Sequence, residues 1–144
     1  MNVQTVLVIF NRRLGEDRRE LYYPTRIASA SYMEARRESH AAGVHSESAS
    51  FKLRIPYDAD QDGKTYTSEA AFKSMSDEEA AKHWTLQKGD IVITADFDQT
   101  DPVDATELDA IACRLSADII TVTEYADNTM RGTDVVKHWR IGGE

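Results

Sequence analysis

The sequence predicts a mainly β protein, a small antiparallel β-barrel or sandwich carrying two or three short helices. Three observations lead there. Residues 3–10 gather Val, Thr, Leu, Ile and Phe, Phe51, Leu53 and Ile55 alternate with Lys52 and Arg54, and two β-rich runs flank a cluster of turn residues between Ile119 and Ile141. Period-two alternation puts successive side chains on opposite faces, which specifies a half-buried strand rather than a helix. Short strands divided by turns, with few helical stretches, are the pattern of a barrel or sandwich.

In chain order, residues 3–10 are apolar on both faces and suit a central strand or one clamped beneath a loop. The chain turns polar from Leu14 to Arg19, then resumes an extended path at Leu21-Tyr22-Tyr23-Pro24, because the residue before a proline is pushed out of the helical region. Pro24 marks an edge or corner. Residues 26–35 alternate loosely around Ile27 and Tyr32, and the polar stretch from Glu38 to Ser48, containing Gly43, reads as a long exposed loop.

After the strand at 51–55 come two short helical segments. Ser76-Asp77-Glu78-Glu79 opens the second, with Ser76 as cap and Glu79 reaching back to it, and Trp84 closes that turn. Lys88-Gly89-Asp90 is a turn before a strand at Ile91-Val92-Ile93-Thr94. A helix is expected over about 104–115, where Ala105, Leu108, Ile111, Ala112 and Leu115 recur at helical spacing. Residues 119–125 and 135–141 form strands, and the turn residues of 127–132 make an antiparallel hairpin the economical connection.

The chain has 144 residues, no internal repeat and no Pro-, Gly- or Ser-rich linker, so a single β-rich domain over 1–144 is expected. With 41% hydrophobic residues it is too apolar for disorder. Its longest apolar run, Val6-Leu7-Val8-Ile9-Phe10, is far short of the ~20 residues a membrane helix needs. Asn11-Arg12-Arg13 follows that run directly, with no basic leader before it and no cleavage pattern after it, so a cytoplasmic product is expected. Cys113 stands alone, which excludes an intramolecular disulfide and a multi-cysteine zinc site. A net charge of -8 opposes approach to a phosphate backbone, and the paired arginines at 12–13, 18–19 and 36–37 are interleaved with acidic residues. Neither nucleic acid, membrane nor a small-molecule substrate is an expected partner.

The sharpest local pattern runs from Asp58 to Glu69 and matches the twelve-residue calcium loop at every anchoring position. Asp58, Asp60 and Asp62 would supply carboxylates, Lys64 its carbonyl, Gly63 the sharp turn and Glu69 a bidentate ligand. A strand ending in Ile55-Pro56-Tyr57 stands where the first EF-hand helix belongs, so a paired EF-hand is excluded and a lone calcium loop is the candidate. The second acidic stretch, from Asp96 to Asp109, reads as a solvated loop and a helix N-terminus favoured by the helix dipole. His40, His45, His83 and His138 show no metal-ligand motif, Cys113 has no activating neighbour in sequence, and no GxSxG, P-loop or GxGxxG occurs. No enzyme activity is expected.

Several phrases together carry a resemblance: Asn11-Arg12-Arg13-Leu14, Tyr22-Tyr23-Pro24-Thr25, Arg54-Ile55-Pro56, Gly63-Lys64-Thr65-Tyr66, His83-Trp84-Thr85-Leu86-Gln87-Lys88-Gly89-Asp90 and Lys137-His138-Trp139-Arg140-Ile141-Gly142-Gly143. The chain resembles an uncharacterised family of unknown function encoded in prophages of Gram-positive bacteria, a family of minor capsid or head-tail joining character. The resemblance implies a virion structural protein at the head-to-tail joint, acting in head closure or tail completion as part of an oligomeric ring. It implies portal, adaptor or tail-completion proteins and further copies of this chain as partners, in the bacterial host cytoplasm during assembly and then in the virion. Loops at about 38–48 and 57–66 would contact neighbouring subunits. No catalytic residue and no cofactor carry over from it. The competing expectation is a calcium-binding interaction module organised by the Asp58–Glu69 loop.

Overall fold

A computed structural model describes residues 3–41, 44–115, 119–129 and 137–144, with side chains described outside 3–5, 32–41 and 44–50. In order, the elements are β1 (Val3–Leu14), β2 (Glu20–Ala41), β3 (Val44–Pro56), β4 (Thr65–Tyr66), α1 (Glu69–Ser74), α2 (Asp77–Ala80), β5 (His83–Trp84), β6 (Ile91–Ile93), α3 (Ala105–Leu115), β7 (Ile119–Asn128) and β8 (His138–Gly143). The expected mainly β architecture with three short helices is the one the chain adopts.

Six strands pair antiparallel in the order β1-β2-β3-β8-β7-β6, and β6 pairs back onto β1. That closure is thin, since β6 offers only Ile91, Val92 and Ile93 to each neighbour. β1-β2-β3 and β8-β7-β6 thus face one another across one core, with the layering of a sandwich. Alternation along each strand fills the space between them with Leu7 and Ile9, Ile27 and Ala30, Leu53 and Ile55, Val92, Ile120 and Val122, Trp139 and Ile141. Each large aliphatic side chain so buried contributes roughly 1.5–3 kcal/mol.

The other face of β1 is covered as well. Val8, Phe10 and Ile93 pack against Val103, Leu108, Ile111 and Ala112, so α3 lies across the outside of β1 and β6. This explains why residues 6–10 are apolar at every position. Asp104 starts α3 by accepting from the Glu107 N–H at 2.8 Å, and a bridge between Tyr22 and Val103 fastens the chain ahead of it to β2.

A β-bulge in β2 shifts the register between Thr5 and Leu7, with Thr5 opposite Ala30 and Leu7 opposite Ile27. Ser29 takes the left-handed conformation there, at φ 67°. The bulge turns the Ala28 N–H away from β1, and it donates instead to the Asp60 carbonyl at 3.1 Å. Ser29→Gly is expected to raise stability by about 0.5–1 kcal/mol, because glycine takes this conformation without a Cβ penalty. Urea unfolding measures it, and a loss of stability would show that the serine side chain offsets its own strain.

β2 and β3 extend well past the body. The β1 ladder reaches β2 only as far as Tyr32, and the β8 ladder reaches β3 only as far as Phe51. β2 and β3 keep pairing from there to Ala41 opposite Val44. Among the described residues the outer part is a two-stranded arm, about 25 Å long at ~3.3 Å per residue. The loop expected at 38–48 is therefore corrected to paired strand at 38–41 and 44–48, while 42–43 lie outside the described residues. Backbone pairing of β2 with β3 holds polar residues extended without any apolar alternation to announce it. The strand expected at 135–141 begins its described part at His138, and residues 130–136 of the expected hairpin lie outside the described residues.

Candidate functional site

The excursion between β3 and β6, residues 57–90, brings polar groups to one end of the core. Thr85, Leu86 and Gln87 run into the interior, where Asn11 of β1 meets them as a strand would: its Oδ1 accepts from the Thr85 N–H at 3.1 Å and its Nδ2 donates to the Thr85 carbonyl at 2.7 Å. Nδ2 also donates to Asp90 at 2.8 Å. Asp90 accepts further from the Arg12 N–H at 2.9 Å and from Gln87 Nε2 at 3.2 Å. Gln87 Nε2 donates to the Arg12 carbonyl as well.

Beside this network a cleft of about 590 Å³ opens, lined among others by Arg12, Glu69, Lys73, Lys88 and Asp90. Asp90 is its most perturbed group. Burial pushes its carboxyl up to about 6, against the pull of the three donors. Its oxygens are committed to β1 and to the turn before β6, and no serine, cysteine or histidine lines the cleft. Those hydrogen bonds make the carboxyl a structural tie between β1 and the turn before β6.

The sign of its pH effect follows. The fold favours the protonated form, so this stabilisation is complete below the unfolded value near 3.8 and is lost as pH rises through about 6. The difference is on the order of 3 kcal/mol at about 1.4 kcal/mol per pH unit. The unfolding free energy of the native protein minus that of Asp90→Asn should fall by about that amount between pH 4 and pH 7. A difference independent of pH would show that Asp90 ionises freely in the fold.

The five candidate calcium ligands are spread along a docked loop. Asp62 and Gly63, at φ 58° and 73°, form a tight turn closed by the Lys64 N–H on the Gln61 carbonyl at 3.0 Å. Two consecutive left-handed residues are what an Asp-Gly turn of the primed type requires. Asp60 accepts from the Asp62 N–H at 2.9 Å, Asp58 is exposed, and the Lys64 ammonium donates to the Pro24 carbonyl. Burial lowers the Lys64 pKa. Glu69 opens α1, pairing with Lys73 at 3.0 Å and accepting from the Tyr125 hydroxyl at 3.3 Å. Among the described residues no group of three or more His, Cys, Asp or Glu is placed to hold a metal ion. Calcium at millimolar concentration should leave the melting temperature unchanged. A rise abolished by Glu69→Gln would show that the loop closes on the ion.

The second acidic stretch is engaged in ion pairs, Asp96 with Arg26 at 2.8 Å and Asp104 with Arg19 at 3.2 Å. Cys113 is exposed on α3. His83 lies at 2.9 Å from the Glu79 carbonyl and His138 at 3.3 Å from Asn128. Sequence reading missed the Asn11–Thr85–Gln87–Asp90 network, and its only signal was Asn11 standing in the inward register of Leu7 and Ile9. No helix among the described residues is long and apolar enough to cross a membrane.

Against known proteins, the profile of a family of unknown function, DUF6751, matches residues 2–144. The chain belongs to the DUF6751 family. No curated protein and no solved structure matches it. The family match spans the sheet, the docked excursion and the arm together, so these are parts of one DUF6751 unit.

Proposed function

We propose that this DUF6751 protein is a structural component of a phage or prophage virion, joining head to tail as a head-closure or tail-completion subunit. The β2–β3 arm carries this reading. A two-stranded ribbon leaving a compact sheet has backbone donors and acceptors free along both outer edges, among the described residues, and such edges recruit strands of neighbouring chains. Ring-forming subunits need a reach of this kind to engage the next copy.

In this reading the protein assembles in the host cytoplasm with further copies of itself and with portal, adaptor or tail-completion proteins, and ends in the virion. Arm and excursion play different parts. The excursion at 57–66 is bonded to the body through Asp60 and Lys64, so the arm is the element free to bridge subunits.

Mixing the purified chain with its cognate portal and adaptor, followed by negative-stain microscopy, tests the proposal. A ring at the connector is expected, and a variant in which residues 34–50 are replaced by a short turn should keep the fold by circular dichroism yet fail to join. No association of the full chain at any salt concentration, or equal association of the shortened one, would overturn it.

A further inference from the structure

The register of the arm sets ligand-type residues opposite one another twice in succession on one face. His40 stands opposite His45, and Glu38 stands opposite Glu47. The pair between them, Ser39 and Ser46, belongs to the other face, because side chains alternate along a strand. The next pair on the first face, Arg36 opposite Ala49, contains no ligand type, so the set ends at four.

We propose that this face of the arm, at the positions of Glu38, His40, His45 and Glu47, is a binding site for a divalent transition-metal ion of the zinc class. Directly opposed positions in an antiparallel pair hold their Cβ atoms about 4.5–5.5 Å apart. Imidazole nitrogen coordinates zinc at about 2.0–2.1 Å, and backbone positions at that separation are compatible with two histidine ligands to one ion. With glutamate at the adjoining positions on the same face, the residue types form a mixed His and carboxylate set, which suits zinc and its neighbours better than calcium, an oxygen-seeking ion.

Two further features point the same way. Glu38 opposite Glu47 places like charges on facing positions, which opposes pairing unless a cation lies with them. An isolated two-stranded hairpin is also marginal in water, and this one is poor in the aromatic and β-branched residues that stabilise cross-strand pairs. Metal binding couples to folding, so an ion at these four positions would tie the arm's strands together near its tip. The site does not rest on the virion reading.

The test uses the full chain, stripped with chelator and titrated with zinc chloride in a calorimeter, with amide exchange followed in parallel. One zinc per chain is expected, together with slowed exchange across 33–50 and weaker binding in acid, where protons compete with the metal for its ligands. His40→Ala and His45→Ala should each weaken binding about tenfold or more, since even indirect supports of a metal site cost that much. Glu38→Gln and Glu47→Gln should weaken it less, while His83→Ala leaves it unchanged. Zinc bound equally well by the His40→Ala, His45→Ala double variant, or no zinc-dependent protection of the arm, would overturn the proposal. The fold of each variant is checked by its melting temperature, which the body sets.

Discussion

Arg13→Ala is expected to lower the unfolding free energy by about 2–4 kcal/mol, because it strands the backbone acceptors of a buried guanidinium. Arg13 is 3% exposed at the end of β1. Its Nε donates to the Phe72 carbonyl at 3.2 Å, its Nη2 to the Met75 carbonyl, and its Nη1 to Asp77 at 2.5 Å and to the Tyr23 hydroxyl at 3.3 Å. One guanidinium thus satisfies the carbonyls that end α1, holds the first residue of α2, and lies over the Tyr23 ring. Alanine would strand those acceptors, each at roughly 1–3 kcal/mol where buried. Arg13→Lys should recover less than half of the loss, because an ammonium cannot span the same fork of acceptors. Urea unfolding and amide exchange over 69–80 measure the effect. A loss below about 1 kcal/mol would mean that Phe72 and Tyr23 hold these helices unaided.

Trp84→Ala should cost about 3–5 kcal/mol, the usual range for emptying a large aromatic site in a core. Trp84 is fully buried, with its ring centroid 4.9 Å from that of Trp139 and 5.0 Å from that of Tyr66. Its indole N–H donates to Gln61 Oε1 at 2.8 Å, so the same residue packs the core and anchors the turn at Asp62 and Gly63. Burial also pushes the Tyr66 hydroxyl up to about 12, as expected of a phenol shielded within this trio. Trp84→Phe should lose about half as much, keeping most of the volume while leaving Gln61 unpaired. Near-ultraviolet circular dichroism follows the trio directly. An unchanged spectrum and a loss below about 1 kcal/mol would show that the excursion contributes little to the core.

Where side-chain periodicity decided the structure, the sequence was legible. Phe51, Leu53 and Ile55 sit in β3 with Leu53 and Ile55 buried, Leu108, Ile111 and Ala112 form the inner face of α3, and Ser76 caps α2 through the Glu79 N–H. Elsewhere the deciding partner was remote. Residues 38–48 read as loop because serine, histidine and glutamate announce no strand, while the bonds that extend them come from the opposite strand. Trp84 read as closing a turn, yet it belongs to β5 and fills the core, since its neighbours Tyr66 and Trp139 are distant in sequence. The Asp58–Glu69 pattern carries local backbone roles that spacing does not reveal. Its Asp-Gly step serves the tight turn and its glutamate serves α1, neither of which spacing alone distinguishes from coordination.

The short pairing of β6 that closes the sheet has a consequence for how the molecule opens. β6 meets β1 through Val8, Ile9 and Phe10, which precede it by most of the chain's first two-thirds, and meets β7 through three residues more. Contacts so distant in sequence are slow to form, and a strand with so few pairings is where the six-stranded closure opens at least cost. The sheet therefore has a seam. Asp90 buttons one end of it and α3 is folded over its length, so opening of the closed body should begin where those two fasteners let go.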